Sequence, residues 1–301
     1  MIRVRVPATS ANIGPGFDTL GIAFNLYNEF EFSEEHEGKK FYGFKEEYSN
    51  EENMVYKAMM ICFQKCNYIP SGLKISLVKE DIPISRGLGS SSTCIVAGLL
   101  GANYIMGNPL SIDELFKIGV NIEGHPDNIA PAFFGGMVVS VLEDEEVLYN
   151  KIEVKDGVKF ISIIPAFELS TAISRKVLPK EVSFRDAVYN ISRVSLMISA
   201  FANGKYDLLK YGCKDVIHEK YRSPLIKNYD LVYNKCISLG ALSCFLSGAG
   251  PTIMVIIKDN EKEFVNSIKN FLKCEDILWK VQELEIDNLG AIVYKGGTNE
   301  E

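Results

Sequence analysis

A glycine and serine turn that runs without a break into a small-residue apolar segment, PISRGLGSSSTCIVAGLL at Pro83–Leu100, constrains this chain more than any other stretch. Gly87 and Gly89 remove side chains where the main chain must come close to a neighbour, and both reach backbone angles that other residues resist. Ser90, Ser91, Ser92 and Thr93 then stand where a helix begins. A helix start presents N–H groups without intrahelical partners and the positive end of the helix dipole, so an anion is its natural guest. The Walker pattern needs a lysine that this loop lacks, and the dinucleotide fingerprint needs a glycine where Ser92 stands. A serine-capped helix whose glycines only turn the chain would read the same way, so the turn alone leaves both readings open.

Strand and helix patterns alternate unevenly around this turn. Ile2–Val6, Ala23–Phe32, Leu73–Val78, Gly136–Leu142 and Val158–Ile164 read as strands, and Asn53–Cys66 and Ser111–Gly119 as helices. Beyond Val158, helical patterns over Ser183–Ala202 and Pro224–Leu239 lead to ALSCFLSGAGPTIMVII, a strand, glycine turn and strand. A helix over Glu261–Cys274 and a strand over Trp279–Ile286 follow. This order predicts an α+β chain whose second half is a small αβ sandwich. With 301 residues, 47% of them hydrophobic, there is material for two cores, and we expect two domains, 1–157 and 158–301.

Several function classes fall away. A net charge of −7 with no concentrated basic face argues against nucleic acid as a partner. The acidic run EDEE at Glu143–Glu146 and KDNEK at Lys258–Lys262 read as solvated loop tips. Seven scattered cysteines, an odd number in a long chain, fit reduced cytosolic thiols. Cys62 and Cys66 could share a helix face, but His36, His125 and His218 have no zinc spacing with them, so the pair reads as core. MIRVRVPATS alternates like a strand and lacks the apolar region of a signal peptide, and no apolar run approaches the roughly 20 residues of a membrane span. We therefore expect a soluble, cytoplasmic protein with no membrane partner; whether it forms a homodimer stays open.

Two more glycine-rich stretches follow predicted strands, Ala11–Gly21 (ANIGPGFDTLG) and Leu246–Thr252 (LSGAGPT). Taken in order with PISRGLGSSST, they resemble the three motifs of the galactokinase, homoserine kinase, mevalonate kinase and phosphomevalonate kinase (GHMP) superfamily. VPATSANIGPGFDTLGIAF is similar to the homoserine kinase branch, since the lysine or arginine and G-E-H element of mevalonate kinases and galactokinases is missing. IEGHPDNIAPAFFGGM at Ile122–Met137, LSTAISRKVLP at Leu169–Pro179 and HEKYRSPLI at His218–Ile226 resemble the same branch. The resemblance runs from Arg3 to about Ile257 and implies a two-domain GHMP fold. Its N-terminal, ATP-binding domain would be like ribosomal protein S5 domain 2, with a left-handed βαβ crossover against the usual rule. Its C-terminal domain would be ferredoxin-like, with both substrates in the cleft between the two.

The resemblance also implies roles. Pro83, Ile84, Ser85 and Arg86 lead into the ATP loop, Gly87, Leu88 and Gly89 turn it, and Ser90, Ser91, Ser92 and Thr93 open its helix. Glu123 and a loop serine, taken as Ser90, would hold the Mg2+ that accompanies ATP. Asn53 and Lys79 would lie near the nucleotide, although a helix cap and an exposed lysine are their ordinary readings. Asp18 and Asn12 would face the ammonium of L-homoserine, Arg175 and Arg222 its carboxylate, His125 and Asn128 its hydroxyl, and Thr171 the transferred phosphoryl. An asparagine at 128 cannot take a proton at neutral pH, so no general base is assigned; the neighbouring Asp127 is the carboxylate to test. The third motif would support the loop rather than do chemistry. Two alternatives stand beside an ATP-dependent homoserine kinase of threonine biosynthesis: another GHMP kinase acting on a different alcohol, and a nucleotide-binding relative without turnover.

Overall fold

The computed structural model describes residues 1–144 and 146–295. Residue 145 of the acidic run, and 296–301 of the expected second domain, lie outside the described residues. The strands are β1 (Ile2–Ala11), β2 (Leu20–Glu34), β3 (Gly38–Tyr42), β4 (Gly72–Glu80), β5 (Met137–Glu143), β6 (Glu146–Ile152), β7 (Val158–Ile164), β8 (Ser243–Leu246), β9 (Ile253–Lys258), β10 (Lys280–Leu284) and β11 (Ile292–Lys295). The helices are α1 (Met54–Lys65), α2 (Ser90–Ile105), α3 (Ile112–Glu123), α4 (Pro126–Phe134), α5 (Thr171–Lys176), α6 (Phe184–Asn203), α7 (Leu209–Gly212), α8 (Glu219–Arg222), α9 (Tyr229–Ser238) and α10 (Phe264–Cys274).

Seven strands form the first sheet, in the order β11-β1-β2-β4-β3, with the β5-β6 hairpin branching from β2. Besides β1, strand β2 serves two further partners: Leu20–Ile22 pairs with β5, and Asn28–Glu34 with β4. The parallel pair β3 and β4, joined through α1, makes a βαβ unit. The second sheet is antiparallel, in the order β10-β7-β9-β8. Numbered along the chain those strands lie 4-1-3-2 with helices after the first and third, the βαββαβ arrangement of ferredoxin-like folds.

One expectation needs correcting. Everything after 157 was assigned to the second domain, but β11 returns to pair with β1 at the edge of the first sheet, with Ile2 opposite Lys295. IVYK is only four residues long and does not alternate, so its sequence does not show which sheet it joins. The two units also share a core. One apolar cluster fills the first unit and another the second. A third, with Ala8, Leu20, Phe24 and Leu88 from the first unit and Phe160, Phe201 and Phe245 from the second, spans the two. Each fully buried side chain of this kind contributes about 1.5–3 kcal/mol, so the walls of the intervening cleft are held by packing rather than by a linker.

The small residues of α2 have a structural cause. The helix is buried on nearly every side, from Ser92 to Asn103 with few interruptions. A Cβ on Gly98 would strike the Val55 carbonyl of α1, and one on Gly101 the ring of Phe32 on β2. Close packing at both points fixes the helix, and with it the direction in which its N-terminus points.

Candidate active site

A single cleft collects most of the polar residues singled out from the sequence. It encloses about 1290 Å³ including its open mouth. Ile84, Ser85, Arg86, Gly87, Gly89, Ser90 and Ser91 line it, as do Asn12, Asp18, Asn53, Glu123, His125, Asn128, Thr171, Arg175 and Arg222. Lys79 does not: it projects from β4 and pairs with Asp81 at 2.8 Å on the surface. Pro83 edges a separate small hollow, and Leu88 is buried in the core. Thr93 turns its hydroxyl back to the Ser90 carbonyl at 2.8 Å, capping within its own helix.

Helix α2 enters the cleft uncapped. At the starts of α1, α3, α5 and α6, the side chains of Asn53, Ser111, Ser170 and Ser183 accept from first-turn N–H groups. At α2 the cap position is Gly89, at φ +72° and with no side-chain cap. The free first-turn donors and the dipole are thus left to a ligand. Both loop glycines are required: a Cβ on Gly89 would collide with the Thr9 hydroxyl, and one on Gly87 with the Ser247 carbonyl. Arg86 faces away from the helix start, donating to the carbonyls of Pro165 (3.0 Å), Ile84 (3.0 Å) and Ala166 (2.7 Å), and so staples the loop to the second unit. Ser247 adds a second staple through hydrogen bonds to Ser10 (2.8 Å) and the Gly87 carbonyl (2.5 Å).

Glu123 sits at the last residue of α3, where the dipole disfavours a negative charge. Its carboxylate is instead held by the hydroxyls of Ser91 (3.0 Å) and Ser92 (3.2 Å), not by Ser90. Gly124 then closes α3 at φ +88° and Pro126 opens α4, so that Gly124 and His125 make a two-residue corner. It brings Glu123, His125, Asp127 and Asn128 to one wall. The His125 Nδ1 lies 2.8 Å from the Asp127 Oδ1. Burial works against a charged His125 ring, but the hydrogen bond and charge of Asp127, with Glu123 beyond, outweigh it and hold the pKa above its ordinary value. Asn128 accepts the Thr9 hydroxyl through Oδ1 at 2.8 Å, leaving its amide nitrogen as the donor.

The opposite wall comes from the first motif, α5 and α8. Asn12 has both amide atoms engaged, accepting from the Asp18 backbone N–H at 3.0 Å and donating to the Gly248 carbonyl at 3.0 Å. It therefore fixes Asp18, which itself stands at φ +54°, more than it faces a guest. Arg175 meets Asp18 in a two-point pair of 2.7 and 3.1 Å. Arg222 is 1% exposed and makes no ion pair among the described residues. Burial, then the neighbouring Arg175 charge, pushes its pKa down to about 10. Both guanidiniums lie over the ring of Phe17, at 5.6 and 5.2 Å.

Sequence reasoning missed three contributions. Phe17 carried no polar signal, although its place beside Asp18 hinted at the site. The apolar end of the cleft, lined by Phe30, Phe44, Tyr48, Met54 and Leu77, suits a flat ring system, but its members come from four separate segments. Asn53 lines that end while doing the work of a cap: it accepts from Val55 N–H at 2.9 Å and donates to the Tyr48 carbonyl at 2.7 Å. The third was the network behind Arg222, where His218 stands between it and Gly14.

This combination, an uncapped glycine-started helix between a mixed sheet and a ferredoxin-like unit, defines the GHMP kinase class. Residues 53–136 match the GHMP kinases N terminal domain, and 197–274 match the GHMP kinases C terminal domain. A homoserine kinase of Clostridium beijerinckii is 58% identical over 98% of this chain and 99% of its own. The crystal structure of homoserine kinase from Cytophaga hutchinsonii superposes with a TM-score of 0.85 at 27% identity, covering 97% of each chain. Mevalonate kinase of L. major, in complex with R-mevalonate, shares the fold at a TM-score of 0.72 and 16% identity over 94% of this chain and 95% of its own. The chain belongs to the homoserine kinases of the GHMP superfamily.

Proposed function

We propose that this chain transfers the γ-phosphoryl of ATP to the side-chain hydroxyl of L-homoserine, a step of threonine biosynthesis in the cytoplasm. The observation that carries this reading is the meeting, in one cleft, of an uncapped helix start with Asp18, Arg175 and Arg222. Homoserine is a zwitterion with a primary hydroxyl, so its site must supply an acid, a cation and a hydrogen-bonding wall. Asp18 would take the ammonium, and Arg222, a buried cation without a carboxylate, would take the carboxylate together with Arg175. Bound substrate would replace the Asp18–Arg175 pair with one new partner for each. We read residues 1–157 as the ATP-binding unit and the chain from 158 as the unit closing the cleft, with β11 returned to the first.

The phosphates would rest on the first-turn N–H groups of α2, and adenine in the apolar end. Glu123 with the Ser91 hydroxyl offers the hard oxygens that Mg2+ prefers, at a helix end where a cation relieves the dipole. That ion, when bound, would neutralise charge on the phosphate oxygens. The Asp127 carboxylate beside His125 Nδ1 holds the ring's pKa above its ordinary value, and an imidazolium there would donate at both nitrogens. It would therefore stabilise charge on the transferring group with Thr171 and the Asn128 amide. A strong base is not required where the transition state is loose and the hydroxyl loses its proton late. Asp127, already engaged by His125, is the remaining carboxylate within reach.

A panel of acceptors with Mg-ATP tests the reading. Homoserine should be phosphorylated, and mevalonate and galactose should not. Turnover of another alcohol with homoserine left untouched would refute it.

A further inference from the structure

The mechanism leaves His218 unused, yet it is fully buried directly behind Arg222. Its Nδ1 lies 3.3 Å from Arg222 NH1, and its Nε2 lies 2.7 Å from the Gly14 carbonyl. These two contacts fix the protonation state. A guanidinium can only donate, so Nδ1 must carry a lone pair, and a carbonyl can only accept, so Nε2 must carry the proton. The ring is neutral, in a single tautomer, and burial pushes its pKa down in agreement. Asp215, 3.9 Å from Nε2, is its nearest acid, and that carboxylate is occupied by the N–H groups of Ile217, His218 and Glu219 and by Asn190. Phe17 packs against the imidazole face at 5.2 Å.

Arg222 is thereby held at three points. Nε donates to the Ser174 carbonyl at 3.3 Å, and NH1 to the Gly248 carbonyl at 3.1 Å as well as to His218. Two of these partners also hold the loop that carries Asp18: the Gly248 carbonyl takes the Asn12 amide, and His218, the one side chain of the three, grips Gly14 four residues before Asp18. We propose that His218 is a positioning residue, a strut that sets Arg222 at a fixed separation from Asp18 so that the carboxylate and ammonium of one amino acid are recognised together. This rests on the functional reading above. Without the strut the arginine keeps its charge and its Gly248 contact but loses the side-chain tie that sets its distance from the loop.

The test uses the full-length enzyme with Mg-ATP and two acceptors: homoserine, and 3-aminopropan-1-ol, which is homoserine without its carboxylate. His218→Phe removes both hydrogen bonds and keeps a ring; His218→Gln keeps one donor and one acceptor. His218→Phe should raise the KM for homoserine at least tenfold, leave the KM for ATP within twofold, and change kcat/KM for 3-aminopropan-1-ol less than threefold. His218→Gln should recover most of the homoserine KM. In an Arg222→Ala background, His218→Phe should add nothing. If His218→Phe does not fold, His218→Met, apolar and flexible, takes its place. An equal loss with both acceptors, a parallel rise in the KM for ATP, or a Gln variant as poor as Phe at equal Tm would overturn the strut. Wild-type enzyme inert to homoserine would overturn the functional reading and the strut with it, whereas active wild type with any of those variant results overturns the strut alone.

Discussion

At the α2 end the cleft is made of main chain: two glycines at positive φ, a helix start with no cap, and staples from Arg86 and Ser247 that hold the loop from behind. At the other end it is made of side chains, with Asp18, His125, Arg175 and Arg222 arriving from four segments far apart in the chain. A main-chain site tolerates little change in shape because its contacts are set by backbone angles. A side-chain site tolerates changes in shape and fails through charge. The first suits a ligand whose phosphates are the same in every turnover, and the second is where an acceptor is selected.

Two substitutions probe that division most severely. Gly89→Ala should abolish ATP binding and lower stability by roughly 2–5 kcal/mol, summing a left-handed backbone penalty of about 1–2 and an overpacking cost of about 1–3, because its Cβ meets Thr9. Gly107→Ala, at φ +84° with nothing near its Cβ, should cost only the backbone part. Thermal melts with and without ATP compare them; equal melting shifts would mean that the loop is not tightly packed. At the side-chain end, Arg222→Ala should raise the KM for homoserine by about 10²-fold, the worth of about 2.7 kcal/mol for a charge-assisted contact, with the KM for ATP changed far less. A matched rise in both constants would place Arg222 with the phosphates instead.

The same division explains what could be read in advance. Main-chain sites leave local marks, so RGLGSSST disclosed a helix start with room for an anion, and the observed α2 begins at Ser90. Long periodic elements were equally legible: Val158–Ile164 forms β7, and the Asn53–Cys66 pattern is α1 with its cap residues. Side-chain sites leave no local mark. Nothing in the surroundings of Arg175 or Arg222 distinguishes them from surface arginines, and only the family resemblance drew them together. Even that resemblance carried types and not contacts, so it did not show Asn12 spent on holding Asp18, Ser91 rather than Ser90 beside Glu123, or Phe17 under both arginines. Short edge elements such as β3, β6 and β11 were also missed, because a few mostly exposed residues without clean alternation cannot be told from a loop.

A smaller effect concerns the wall between the two ends. Asp127→Asn removes the charge that holds the His125 pKa up, so burial should prevail and the ring should titrate below its ordinary value instead of above it. Histidine resonances followed by NMR against pH would report this. Because the folded pKa is raised, the stability contributed by the pair is fully present below the unfolded value of about 6.5 and is lost as pH rises through the folded value. Asp127→Asn should therefore flatten the pH dependence of stability across that window, and an unmoved His125 titration would show that Asp127 is not its controlling partner.

Lys79 gives the smallest expected change and the sharpest contrast between resemblance and geometry. By resemblance it belongs near the nucleotide, whereas its ammonium is half exposed, paired with Asp81, and off the cleft. An exposed pair of this kind contributes about 0.2–1 kcal/mol, and a cation outside the cleft acts on the phosphates only through screening solvent. Lys79→Ala should then lower stability by less than about 1 kcal/mol and leave the KM for ATP within twofold at physiological salt. A fivefold rise would mean that the lysine swings from Asp81 to the nucleotide when ATP is bound. The phosphate end would then recruit a side chain after all, and the contrast between a main-chain end and a side-chain end would hold only for the empty cleft.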